Sequence, residues 1–249
     1  KPEQTGIYFK NVIEDDEYIN FIIFTYYYNG GGVAIGDIDN DGLSDVFLTS
    51  NRFKSRLFKN KGNFKFEDIT LMADVGNRPN SFYTGVAMVD INNDGWMDIY
   101  LCKTLMENKE LRRNELYINN HDGTFSEKAK EYGLDDPGYS NQAYFYDMDN
   151  DGDLDMFLLN YPFFTLEKDH KKVNVAYDKN GELKRVKDVA NEFASNKLYI
   201  NQGGKFVNVT KAAGLESNDF GLSAIVEDMN GDGLADIYLC NDFKDNDYL

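Results

Sequence analysis

Asp147-Met-Asp149-Asn-Asp151-Gly152-Asp153-Leu-Asp155 is the stretch whose reading decides the fold. Carboxylates stand at positions 1, 3, 5 and 9, with glycine at position 6. Hard divalent cations such as Ca²⁺ take roughly six to eight oxygen ligands, and a glycine after the third acid lets a short loop close tightly around the ion. The pattern recurs as Asp37-Ile-Asp39-Asn-Asp41-Gly42-Leu-Ser-Asp45, as Asp90-Ile-Asn92-Asn-Asp94-Gly95-Trp-Met-Asp98 and as Asp228-Met-Asn230-Gly-Asp232-Gly233-Leu-Ala-Asp236. One such loop is unremarkable in an acidic chain. Four in register, each followed by an apolar run, constitute an internal repeat.

The first aspartates of the loops lie 53, 57 and 81 residues apart. Around each loop the sequence reads as short strands. An apolar run enters it (Val33–Asp37, Val86–Asp90, Ala143–Asp147, Ala224–Asp228) and another leaves it (Asp45–Thr49, Asp98–Cys102, Asp155–Leu159, Asp236–Cys240). A third run (Arg56–Asn60, Asn114–Asn119, Asn196–Asn201) and a fourth (Phe64–Thr70, Thr124–Lys128, Lys205–Thr210) follow, joined by glycine-bearing turns. No segment has sustained helical periodicity. The expected fold class is all-β, a β-propeller of four-stranded antiparallel blades. Each blade buries its faces only against its neighbours.

The expected organisation is blade 1 over residues 33–73, blade 2 over 86–132, blade 3 over 143–214 and a partial blade 4 over 224–249, about three and a half blades of a larger ring. Phe9-Lys-Asn-Val12 resembles Phe206-Val-Asn-Val209, so residues 6–13 are expected to supply a ring-closing outer strand. The aromatic run at 21–32 is expected either along the central axis or as a loop on one face. Blade 3 carries an insertion, 161–194, in which Tyr177-Asp-Lys-Asn-Gly-Glu-Leu183 suggests an extra hairpin.

The formal charge is −17, with 43 acidic against 26 basic residues, which argues against a nucleic-acid partner. Fourteen of the acids occupy the loop positions 1, 3, 5 and 9. Cys102 and Cys240 close equivalent Asp-Ile-Tyr-Leu-Cys runs in non-neighbouring repeats and read as buried small hydrophobes rather than a disulfide. No transmembrane segment or signal peptide is visible in the sequence.

An EF-hand shares the opening of these loops but needs flanking helices and a glutamate at position 12. Here position 12 is Leu48, Leu101, Leu158 and Leu239, and the flanks read as strands. The ligand set for up to four Ca²⁺ is therefore Asp37, Asp39, Asp41 and Asp45; Asp90, Asn92, Asp94 and Asp98; Asp147, Asp149, Asp151 and Asp155; and Asp228, Asn230, Asp232 and Asp236. Backbone carbonyls are assigned to Leu43, Met97, Asp153 and Ala235. With Asn92 and Asn230 at position 3, the second and fourth loops lose a charge each and should bind more weakly.

These loops resemble FG-GAP/VCBS repeats, the blades of integrin α-subunit propellers and of many bacterial surface proteins. Tyr28-Asn-Gly-Gly-Gly-Val-Ala-Ile-Gly-Asp37 and the third strands are similar, more narrowly, to bacterial VCBS proteins often followed by an ASPIC/UnbV domain. The resemblance implies calcium in the blade hairpins, an extracytoplasmic, cell-surface or outer-membrane location, and binding rather than catalysis. It names no ligand.

In a four-stranded meander the metal loops share one face. The opposite face gathers the second-to-third connections and the inter-blade linkers, where binding usually resides on a rigid scaffold. Its candidate ligand residues are Tyr27, Tyr28, Tyr83, Arg112, Arg113 and Tyr139. The leading expectation is a binding or assembly module for protein or glycan, within an outer-membrane complex or secreted. The rivals are a purely structural envelope role and a scaffold for a polysaccharide-degrading enzyme. The enzyme reading would need an acid/base set, and none is found in these 249 residues.

Overall fold

The computed structural model describes residues 1–76, 78–162, 175–177, 179–185, 192–217, 219–242 and 247–249. A single helical turn, α1 (Pro2–Thr5), leads into the first sheet, β1 (Val33–Gly36), β2 (Asp45–Leu48), β3 (Arg56–Asn60) and β4 (Phe66–Asp68), which pair antiparallel in chain order. After α2 (Thr70–Ala73) the same meander is built by β5 (Tyr83–Val89), β6 (Asp98–Lys103), β7 (Glu115–Asn119) and β8 (Phe125–Glu127). After α3 (Ala129–Tyr132) come β9 (Ser140–Tyr146) and β10 (Asp155–Asn160). The expected hairpin, β11 (Val175–Tyr177) with β12 (Leu183–Arg185), interrupts this sheet, which β13 (Lys197–Asn201) and β14 (Phe206–Asn208) complete. A fourth sheet pairs β15 (Gly221–Glu227) with β16 (Asp236–Asn241). Of the insertion's basic residues, Lys168, Lys171, Lys172 and Lys187 lie outside the described residues.

Strand alternation explains how the sheets stack. All six residues of β6 are buried, as expected of a strand covered on both faces. Its Ile99 and Leu101 join Phe47 and Leu57 of the first sheet, while Tyr100 and Cys102 join Met156 and Leu158 of the third. The pattern advances one sheet at β10, whose Phe157 and Leu159 turn the other way, onto Leu239. Cys102 is thus a core residue, whereas Cys240 is only partly buried, contrary to expectation; both are free thiols. Packing passes from β1 to β5, to β9, to β15. Inner strands β5, β9 and β15 line a cleft of about 370 Å³. This is the radial plan of a β-propeller. Val33 and Ile35 on β1 and Ile225 on β15 stay 61%, 64% and 54% exposed, so the series of sheets does not close on itself.

The aromatic run forms a cap on one face. Phe24, Tyr26 and Tyr27 are buried with Phe82, Leu105 and Tyr161, which belong to an inter-blade linker and to the ends of β6 and β10.

Residues 6–13 contain no strand, contrary to the sequence expectation. Gly6 instead takes φ +82° after α1 and lies against the carbonyl of Phe66 in β4. Gly133 takes φ +81° after α3 and lies against the carbonyl of Phe206 in β14. Lys1-Pro-Glu-Gln-Thr-Gly6 therefore repeats the turn Lys128-Ala-Lys-Glu-Tyr-Gly133 that follows a fourth strand, not the strand itself. Beyond it, Asn11 is tied to the β2–β3 connection, accepting hydrogen bonds from the Asn51 N–H and the Ser50 hydroxyl.

Candidate metal centres

All four loops fold the same way because their own carboxylates order the backbone. The position-1 aspartate accepts the N–H groups of positions 5 and 6: Asp37 from Asp41 and Gly42, Asp90 from Asp94 and Gly95, Asp147 from Asp151 and Gly152, Asp228 from Asp232 and Gly233, at 2.7–3.2 Å. The position-5 aspartate accepts the N–H of position 7 at 2.9 Å in every loop. Position 6 is Gly42, Gly95, Gly152 and Gly233, with φ from +83° to +94°, a region only glycine enters cheaply. Position 7 is Leu43, Trp96, Asp153 and Leu234; the assignment of Met97 and Ala235 is one residue too late, because the glycine turn fixes the count.

Position 9 has a second task. Asp45, Asp98 and Asp155 are at most 1% exposed. Each accepts the N–H of position 2 (Ile38, Ile91, Met148) and the N–H of the asparagine ending the third strand (Asn60, Asn119, Asn201), which ties loop to sheet. Burial raises all three carboxyls, opposed by these hydrogen bonds; Asp98 reaches about 6. An apposed cation would favour the ionised form.

Three carboxylates converge in two loops: oxygens of Asp37, Asp39 and Asp45, and of Asp147, Asp149 and Asp151, lie within 4.8 Å of one another. Asp39 Oδ1 is buried and without a hydrogen-bond partner among the described residues. A hard cation meets that need with the donor set already present. The first loop also has an internal cation, since the Lys59 ammonium contacts Asp39 and lies 3.7 Å from Asp41. In the second and fourth loops the amides of Asn92 and Asn230 donate to Asp94 and Asp232 at 2.9 and 3.1 Å. His121 stacks on Trp96 and stands 3.1 Å from Asp94. Burial would raise the Asp94 carboxyl, but hydrogen bonds from Asn92, the Trp96 N–H and His121 outweigh it and hold it below the usual range.

The sequence reading missed position 4. Asn40, Asn93 and Asn150 have φ of +56° to +60°, and each side-chain amide donates to the position-6 carbonyl of the next loop: Gly95, Gly152 and Gly233, at 3.0, 3.3 and 2.7 Å. The four loops are thus strung together from blade to blade. The available signal was an asparagine, tolerant of left-handed backbone, at one fixed position in three loops.

The opposite face departs from expectation. Tyr27 and Tyr83 are buried: Tyr27 donates to the Glu14 carbonyl, and Tyr83 to Glu115, which also pairs with buried Lys103. Arg112 is buried, donates to the carbonyls of Met106, Glu107 and Pro137, and lies 4.4 Å from the half-buried Tyr139 ring. Arg113 pairs with Glu110 and Asp135. These residues hold the loops together. Among the six, only Tyr28 is largely exposed, and its hydroxyl bonds Asp15.

Antiparallel four-stranded blades with an acidic loop in each first hairpin define a propeller-type repeat protein. The chain belongs to the FG-GAP-like repeat family, whose pattern matches residues 37–101, 107–158 and 189–239. It is similar to cartilage acidic protein 1 of Mus musculus, 25% identical over 214 residues, covering 86% of this chain and 29% of that protein. The Homo sapiens protein gives 25% identity over 214 residues, covering 86% and 28%. That of Xenopus tropicalis gives 38% over 73 residues, covering 29% and 11%. The chain thus spans under a third of these relatives. Among solved structures, a lectin of Agrocybe aegerita described as recognising non-reducing terminal N-acetylglucosamine aligns with TM-score 0.32 and 17% identity, over 82% of this chain and 59% of that one; at that score it carries no argument. No helix among the described residues is long and apolar enough to cross a membrane.

Proposed function

We propose that this chain is a calcium-stapled β-propeller module that binds protein or glycan outside the cytoplasm and performs no catalysis itself. The observation that carries the calcium half is the convergence of the Asp37, Asp39 and Asp45 carboxylates in a loop where Asp39 Oδ1 is buried and has no hydrogen-bond partner among the described residues. In this reading positions 1, 3, 5 and 9 of each loop supply side-chain oxygens, and position 7 supplies a carbonyl. The ion offsets the mutual repulsion of three or four carboxylates and fixes each first hairpin.

Much of each loop is solvent-exposed, and shallow calcium sites of extracellular modules work at roughly 10⁻⁴–10⁻³ M. That supports a calcium-rich, extracytoplasmic setting, in keeping with the resemblance to bacterial surface proteins and with the cartilage name of the relatives. Equilibrium dialysis against calcium with elemental analysis tests the metal half. Up to four ions per chain are expected, and none would overturn it. A glycan array, together with affinity capture from a cell-surface extract, tests the binding half. Specific retention is expected, and retention in neither would overturn it.

A further inference from the structure

The N-terminal segment, the β2–β3 connection and the linker after α2 enclose a cleft of about 600 Å³, within the ordinary range for small-molecule sites. It lies on the face opposite the metal loops. Its lining is unlike the rest of this acidic chain: Lys10, Arg52, Lys54, Arg56 and Arg78 line it, and no acidic side chain does among the described residues.

The five cations differ in role. The arginines are already paired: Arg52 with Asp16 at 2.9 Å, its other terminal nitrogen donating to the Glu14 carbonyl and the Tyr27 hydroxyl, Arg56 with Asp68 at 3.1 Å, and Arg78 with Glu127 at 3.0 Å and Glu115 at 3.4 Å. These pairs hold the guanidinium groups in place and offset much of their charge, so the cleft's unpaired positive charge rests on its lysines. Lys10 and Lys54 are exposed, without an acidic partner among the described residues. Two large aromatic side chains line the same cleft and remain open to solvent, Tyr8 at 65% and Phe53 at 55%. Flat apolar rings beside unpaired ammonium groups match a pyranose, which offers a C–H face to the ring and anionic substituents to the lysines.

We infer that this cleft binds an anionic saccharide carrying sulfate or carboxylate groups. The inference rests on the binding-module reading above and gives it a location and a ligand class. The Asp and Glu carboxylates of a peptide would satisfy the cations but leave the two rings unused.

The test is calorimetric titration of the full chain, in calcium and physiological salt, with a sulfated dextran hexasaccharide, neutral maltohexaose and hexaglutamate. The sulfated sugar is expected to bind, with the other two at least about tenfold weaker. Lys10→Ser with Lys54→Ser is expected to weaken it about tenfold, and Phe53→Ala about fivefold, with unchanged melting midpoints because all three side chains are exposed. Equal binding by the double variant overturns the cleft and leaves the module reading standing, because the sugar then binds elsewhere. Hexaglutamate as tight as the sugar, with Phe53→Ala silent, overturns the saccharide assignment in favour of an acidic protein. No binding to the wild type overturns the inference, and the array and capture experiment then decides the module reading separately.

Discussion

Asp39 and Lys59 show how much a single loop's chemistry departs from its repeat. Lys59 occupies the strand position held by Ile118 and Ile200 in the next two sheets, so among these three loops, within the described residues, the first has an ammonium beside its carboxylates. Solvent-accessible ion pairs contribute up to about 1 kcal/mol, and the Lys59 pairs are partly exposed. Lys59→Met is therefore expected to tighten calcium at the first loop by up to about fivefold, read by titration of the variant against wild type. Asp151→Ala is expected to remove one ion from the count, because position 5 both faces the convergent cluster and orders the Asp153 N–H. Asp98 gives a pH signature. Its folded-state carboxyl, at about 6, lies above its unfolded value of 3.8, so its contribution to stability is full below the unfolded value and is lost as pH rises through the folded one. In chelator-treated protein, the wild type is expected to lose more stability than Asp98→Asn between about pH 5 and about pH 7, measured by denaturant midpoints.

At the scale of the element, the loop positions were legible because ligand spacing and the glycine turn are local. The blade strands were legible because a strand covered on both faces must be apolar throughout, as in Asp98-Ile-Tyr-Leu-Cys102. Position 4 was not legible, since its partner is a carbonyl 55 to 83 residues away, in the next blade. The N-terminal segment misled because a similarity of three residues in Phe9–Val12 outweighed the longer helix-turn parallel ending at Gly6. Asn150→Gly keeps the left-handed backbone while deleting the link to Gly233, as Gly231 already does in the fourth loop. It is expected to cost about 0.5–1 kcal/mol by chemical denaturation, and no change would show that the strung loops contribute nothing to stability.

At the scale of the molecule, the two faces divide the work. One carries a row of acidic loops linked from blade to blade. The other was expected to offer aromatic and basic loop residues to a partner, yet Tyr27, Tyr83 and Arg112 turn inward to close an aromatic cap and brace the linkers. Sequence alone does not separate a loop aromatic that meets solvent from one that covers the end of a stack of sheets, because burial there depends on long-range packing. What the cap leaves open is the cationic cleft beside the N-terminal segment.

The central claim is that cations hold these hairpins. Scanning calorimetry of the intact chain tests it directly, before and after EGTA and after calcium is restored. The account predicts a melting midpoint several degrees lower on chelation and recovered with calcium. A midpoint indifferent to EGTA would contradict it.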